Sequence, residues 1–206
     1  EGISNVDLVH GDILKTDLLD LGLHDSGFKV VANIPYYLTA RLTRTLLEGN
    51  PRPTEMLLMV QREVAERMTA KPPRMNLLAL SVQAYGAPQI VTTVPATAFQ
   101  PRPQVDSALI KITGISERFF TEHGISPPEF FRIAKFGFGK KRKLLLNSLV
   151  GLLGPKAAVG EALHRAGLRE KARPEELSLA EWAALTKHGF SAIGPESGKT
   201  SYTITI

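Results

Sequence analysis

Apolar positions follow two regimes along this chain. In the first 115 residues short apolar runs alternate with segments of helical period, whereas from residue 126 the helical period is the one that recurs. Met56 to Val60 is a pure apolar run, the mark of a strand buried on both faces, and Phe28 to Ala32 reads as another buried strand. Val6 to His10, Pro88 to Val94 and Ser107 to Ile112 read as further strands, the last with Ala108, Ile110 and Ile112 alternating against Leu109 and Lys111. Helices are expected from Thr39 as N-cap, with Leu42 and Leu46 on one face and Gly49 as stop, then over Gln61 to Met68 and Asn76 to Tyr85. This order predicts the latter part of an α/β sheet whose final strands can pair antiparallel.

A break in composition between Gly114 and Gly124 predicts a domain boundary. Beyond it Ser126 and Glu129 form a capping box with proline at the first helical position, and a helix runs on through Phe130 to Phe138. Lys140, Lys141, Arg142 and Lys143 are expected to open the helix Leu144 to Val150. Two more helices are legible: Pro155 to Ala166 with Gly167 as stop, and Leu179 to His188, capped by Ser178 and Glu181 and closed by Gly189. The predicted organisation is an α/β unit over 1–115, a small all-α domain over 124–190 and a tail over 191–206.

With 206 residues, 43% hydrophobic and 22% charged, the chain has the make-up of an ordinary globular protein with one good core and a smaller satellite. Zero cysteines exclude disulfides and thiolate metal sites, and the five histidines form no ligand cluster, so no metal is assigned. No apolar run approaches membrane-spanning length. The formal charge of +5 conceals an asymmetry. Residues 1–30 carry six acids against Lys15 and Lys29, while residues 131–173 carry eleven Lys or Arg against Glu161 and Glu170, which points to a polyanionic partner for the second half. Four cations at a helix start would oppose the macrodipole, so an anion to neutralise explains them better than a structural purpose.

The candidate chemistry sits where the strand Val30-Val31-Ala32 runs into Asn33-Ile34-Pro35-Tyr36-Tyr37. The carboxyl end of a parallel strand is where open α/β sheets bind ligands. Asn33 offers an amide oxygen, the peptide before Pro35 a carbonyl, Pro35 stiffness, and the tyrosines flat faces for stacking. Two acceptors and an aromatic face suit an exocyclic amine on an extruded nucleobase, whose delocalised lone pair attacks poorly until hydrogen bonds favour a pyramidal nitrogen. The same tetrapeptide also suits a plain strand-ending turn. Ala98 to Ser107 carries two prolines that fix an extended loop, leaving Phe99 either a second stacking face or a cap on the core, with Arg102 in reach of phosphate. Asp12, just past the first expected strand, is a cofactor contact or a loop Asp in equal measure. Arg62 and Arg67 suit backbone phosphates or a solvated helix face.

Four separated signatures occur in one order: Gly11-Asp12, Asn33-Ile34-Pro35-Tyr36-Tyr37, Phe99-Gln100-Pro101-Arg102-Pro103-Gln104-Val105-Asp106-Ser107, and Phe138 through Lys140-Lys141-Arg142-Lys143 to Asn147-Ser148-Leu149. Together they resemble the ribosomal RNA small-subunit adenine dimethyltransferase family of KsgA type, over nearly all of residues 1–190. The resemblance implies a Rossmann-like class I methyltransferase sheet followed by a small all-α domain. It further implies transfer of methyl groups from S-adenosyl-L-methionine to N6 of two adjacent adenines in small-subunit ribosomal RNA, in a cytoplasmic monomer acting on the immature small subunit. By position, Asp12 and Asn33 would meet the cofactor, Asn33, Pro35, Tyr36 and Phe99 would hold the target base, and Arg102 with Lys140, Lys141, Arg142 and Lys143 would grip RNA.

Members of the family open with a strand, a Gly-rich cofactor loop and a strand ending in an acidic ribose ligand, and no Gly-x-Gly precedes Asp12 here. The expectation is an amino-terminally truncated copy whose sheet is partial, with its N-terminal strands absent, and which binds the cofactor feebly; micromolar affinity by isothermal titration would contradict this. Two other readings are an adenine N6-methyltransferase of large-subunit RNA, of macrolide-resistance type, and a non-catalytic RNA-binding assembly factor on the same scaffold.

Overall fold

The computed structural model describes residues 4–25, 27–140 and 142–191. Lys141 and the expected tail from residue 192 onward lie outside the described residues. Among the described residues four strands form one sheet: β1 (Lys29–Asn33), β2 (Glu55–Gln61), β3 (Ala87–Val94) and β4 (Ser107–Thr113), in the order β1-β2-β4-β3. β1 and β2 are parallel, and β4 runs antiparallel to β2 and to β3, as the sequence allowed. The pure apolar run lands on a central strand, where Met56, Leu58 and Val60 are sealed on the core side. This topology fixes the location of the chemistry. β4 begins, and β3 ends, at the carboxyl end of β1 and β2, so the β3–β4 connection over residues 95–106 is delivered to the same sheet end as Asn33.

α1 (Thr39–Glu48) buries Leu42, Leu46 and Leu47, and Gly49 ends it as expected. Its start differs by one residue: a 3-10 turn over Tyr36–Leu38 runs directly into the helix, so Leu38 is the N-cap and Thr39 the first helical residue. α2 (Arg62–Met68) and α3 (Leu77–Gln83) follow, and the Asn76 side chain caps α3 by accepting from the Ala79 N–H at 3.0 Å.

Val6 to His10 is not a strand. Its Val6, Leu8 and Val9 are exposed and no strand among the described residues pairs with it, because a strand needs both a ladder partner and an apolar face to cover. The turns that follow do anchor, with Leu14 and Leu18 packed against the core.

The helical part comprises α4 (Arg118–His123), α5 (Pro127–Phe138), α6 (Leu145–Ser148), α7 (Val150–Leu153), α8 (Lys156–Arg165) and α9 (Leu179–Ser191). α4 lies within the composition break. Its Phe120 is buried 5.1 Å from the Tyr85 ring and 6.1 Å from that of Phe131, so one hydrophobic cluster runs from the sheet to Trp182. Two expectations are corrected here. The basic run does not open a helix: α5 ends at Phe138, the chain turns through Arg142 in the left-handed region (φ 64°), and α6 starts at Leu145. The described cations Lys140, Arg142 and Lys143 are exposed in the turn that leads directly into α6, with Lys143 immediately before its N-cap Leu144. Nor does Gly189 stop α9; it lies within the helix, and a β-carbon there would lie 3.1 Å from Ile133 Cδ1 and from Leu153 Cδ1, so close packing accounts for the glycine.

Candidate active site

Asn33, the last residue of β1, pairs in register with Met59, and the turn after it is rigid: Pro35 accepts a hydrogen bond from the Leu38 N–H at 2.9 Å. Asn33, Ile34, Pro35 and Tyr36 form one wall of a cleft of about 330 Å³, and Phe99, Pro101, Pro103 and Ser107 form the other. Two segments separated by more than sixty residues of sequence therefore share one cavity, which the β-topology requires. Phe99 is half-buried and stands outside the core cluster, with its side chain on the cleft. Tyr36 is held across the gap, its hydroxyl 3.1 Å from the buried Ser107 Oγ.

The Phe99 loop is fastened at its far end by Asp106. One carboxylate oxygen accepts the Ala96 N–H at 3.0 Å, the other accepts from Arg62 Nη1 at 3.2 Å, and the Asp106 carbonyl accepts the Arg62 N–H at 3.0 Å. Arg62, which also pairs with Glu66, is thus a brace for the loop, not a free phosphate contact. Ser107 and Asp106 were missed as working residues by sequence reasoning. No local signal marks them, because their partners lie 71 and 44 residues away along the chain and meet them only in the folded sheet.

The other predicted residues are placed as follows. Asp12 does not line the cleft; its carboxylate caps its own turn by accepting the Leu14 N–H at 3.0 Å, with Lys15 at 3.9 Å. Arg102 is exposed in the Phe99 loop and, like Lys140, Arg142 and Lys143, makes no ion pair among the described residues. Among the described residues no group of His, Asp or Glu is arranged to hold a metal ion, and no helix is long and apolar enough to cross a membrane.

Geometrically, the cleft offers an amide, a carbonyl on a proline-fixed turn and two aromatic side chains at a strand's carboxyl end. That combination can hold a flat, amine-bearing ring by stacking and by accepting its N–H bonds.

Comparison with known proteins places the chain in a family. A model of the family described as ribosomal RNA adenine dimethylase matches residues 2–188. Ribosomal RNA small subunit methyltransferase A of Dehalococcoides mccartyi (strain CBDB1) is 44% identical over 186 residues, covering 90% of this chain and 63% of that protein. Its namesake from Moorella thermoacetica is 39% identical over 196 residues, with 90% and 67% covered. The chain thus spans a little under two thirds of the first of these curated relatives. Among solved structures, a dimethyladenosine transferase from Plasmodium falciparum superposes with a TM-score of 0.73 at 24% identity, covering 89% of this chain and 72% of that one. The 23S rRNA methyltransferase ErmE superposes at 0.63 with 21% identity and the same coverage, so the two share the Rossmann-like fold. The chain belongs to the ribosomal RNA adenine dimethylase family of methyltransferases.

Proposed function

We propose that this chain forms the base-holding and RNA-facing part of an S-adenosyl-L-methionine-dependent enzyme that dimethylates N6 of two adjacent adenines in small-subunit ribosomal RNA. The observation that carries this reading is the single cleft shared by Asn33, Ile34, Pro35, Tyr36 and Phe99. An adenine turned out of its strand stacks between Tyr36 and Phe99, and its two N6–H bonds point at the Asn33 amide oxygen and the Ile34 carbonyl. Accepting both hydrogens draws the nitrogen towards a pyramidal geometry and returns its lone pair from the ring, so the amine becomes a nucleophile without a general base. Arg102, Lys140, Lys141, Arg142 and Lys143 neutralise phosphates and supply most of the affinity. The units 1–115 and 124–190 divide the labour, the first holding the base and the second the polymer. The working setting is the cytoplasm, on an immature small subunit.

The described residues suit the methyl acceptor better than the donor. S-adenosyl-L-methionine supplies an electrophilic methyl group, but neither the cleft nor the apolar trough of about 420 Å³ along β1 is lined by an acidic side chain for its ribose, and the Asp12 carboxylate is engaged in its own turn. What the residues of the cleft contribute in this reading is the hold on the adenine, with Asn33 placed at its edge where the cofactor's methyl group would arrive.

The relatives named for the small subunit, at 38–44% identity, favour that RNA over the large-subunit alternative. The test is a chimera in which residues 2–188 replace the matching segment of the Moorella thermoacetica relative, with methylated positions mapped by primer extension. Two adjacent modified adenines in small-subunit RNA are expected. A single modified adenine in large-subunit RNA, or no methylation by a folded chimera that binds the subunit, would overturn the reading.

A further inference from the structure

A second cavity, of about 350 Å³, opens between α1, α2 and α3, and Tyr36 belongs to its wall as well as to that of the cleft. We propose that this cavity is a second base subsite, taking the nucleotide next to the target adenine on the same RNA strand; the proposal rests on the functional reading above.

Its size suits one nucleoside, near the lower end of the range for small-ligand pockets. Ala40, Leu47, Val64, Leu77 and Leu78 give it apolar sides, against which a base can be desolvated. Tyr37, 87% exposed, adds an aromatic face, and Arg67 adds an exposed cation with no ion pair among the described residues, whereas the other lining arginine, Arg44, is held by Glu48 at 2.7 Å. An exposed aromatic beside an unpaired guanidinium is the pairing that single-stranded nucleic acid sites use, one for the base and one for its phosphate.

The second observation is inside. Thr39 and Thr43, one turn apart on α1, both line the cavity, are 2% and 1% exposed, and have hydroxyls with no hydrogen-bond partner among the described residues. Buried polar atoms are almost always satisfied, and a helical threonine ordinarily turns its hydroxyl to a carbonyl of the preceding turn. Neither does so here. Each has a second staggered rotamer available, and a hydroxyl that both donates and accepts can serve any base edge. Because the cavity adjoins the cleft through a single side chain, the group that reaches it while the target adenine occupies the cleft is the adjoining nucleotide.

The test is fluorescence anisotropy with this chain and a labelled single-stranded RNA nonamer carrying one central adenine among pyrimidines. Four probes are compared: intact, abasic at the target, abasic on the 5′ side and abasic on the 3′ side. Loss of one flanking base, and not the other, is expected to weaken binding about tenfold, the usual worth of one stacked base. The Thr39→Val/Thr43→Val variant is expected to bind the intact probe less tightly and to lose most of that flanking-base dependence, while its melting temperature does not fall, since the hydroxyls have no partner to lose. Arg67→Met, at an exposed position, supplies a second variant with the same expected loss should the threonine pair fail to fold. If the target-abasic probe binds weakly while both flanking-abasic probes bind like the intact one, the subsite is refuted and the functional reading stands. Full flanking-base dependence in the variants also refutes the subsite. If the target-abasic probe binds like the intact one, the functional reading itself has failed.

Discussion

At the scale of single residues, the hydrogen bond between Tyr36 and Ser107 joins the two halves of the cleft. Without it the Tyr36 ring, 38% exposed, would be free to rotate about its side-chain bonds, and a stacking platform that must be reordered on binding costs affinity. Ser107→Ala is therefore expected to weaken adenine-dependent RNA binding by about three- to tenfold, the worth of one ordinary hydrogen bond, while leaving the melting temperature nearly unchanged because the Tyr36 hydroxyl can turn to water. Ser107→Thr should restore binding. A variant that binds like the parent chain, or that Thr fails to rescue, would show that Ser107 does not position Tyr36. Much of this was legible in sequence: Asn33, Pro35, Tyr36 and Phe99 announce themselves by type and by prolines. Asp106 and Ser107 do not, since their roles exist only once β4 is laid antiparallel beside β2.

At the scale of elements, α5 and α9 meet where Gly137 faces Trp182. A methyl group at 137 would overlap the indole at Cη2 and lie 3.1 Å from Leu145 Cδ2, so Gly137→Ala, which ordinarily favours a helix, is expected to destabilise by about 1–3 kcal/mol, read as a lower melting temperature. An unchanged or raised melting temperature would contradict this packing. In the sheet, Glu55 on β2 is gripped by Lys29 of β1 at 2.8 Å and by Lys111 of β4 at 3.0 Å, one carboxylate tying three strands. These hydrogen bonds, Lys29 first and then Lys111, hold its pKa below the ordinary value of 4.5. With the folded value depressed, the unfolded chain binds the extra proton, so the contribution is present above that ordinary value and lost as pH falls through the folded one. Melting curves from neutral to acid pH should show Glu55→Gln less stable than the parent at neutrality and converging with it in acid; a constant gap would refute the coupling. The elements themselves were largely legible, because period and caps are local signals. The exceptions are Val6 to His10, which has no ladder partner among the described residues, Phe28 to Ala32, expected to be buried but forming an edge strand with Val31 78% exposed, Gly189, where tertiary packing outranks the usual meaning of a glycine, and the basic run, which makes the turn leading into α6 and not its first turn.

For the whole molecule, charge and chemistry are segregated, with the cleft at the sheet's end and the basic excess in the helical part. The sequence showed that asymmetry, but not that one apolar cluster would join the two parts through Tyr85, Phe120 and Phe131, because contacts between distant aromatics leave no periodic trace. With the cleft holding the base and the basic turn gripping RNA, as proposed, affinity and selectivity should separate by mutation. Replacing Lys140, Arg142 and Lys143 together with Gln should weaken RNA binding at low salt whatever the base in the cleft, and reduce the slope of log affinity against log salt by about 2 for single-stranded RNA. An unaltered slope would place the phosphate contacts elsewhere.

The proposed acceptance of an adenine's amine by Asn33 and the Ile34 carbonyl, with the ring between Tyr36 and Phe99, is decided by comparing the affinity of this chain for an RNA carrying adenine at the target position with that for the same RNA carrying purine, which lacks the 6-amino group. Adenine is expected to bind about tenfold more tightly, the sum of two modest hydrogen bonds, and Asn33→Ala to erase much of the difference. Equal affinities for the two RNAs, in a chain that still requires a base at that position, would contradict it.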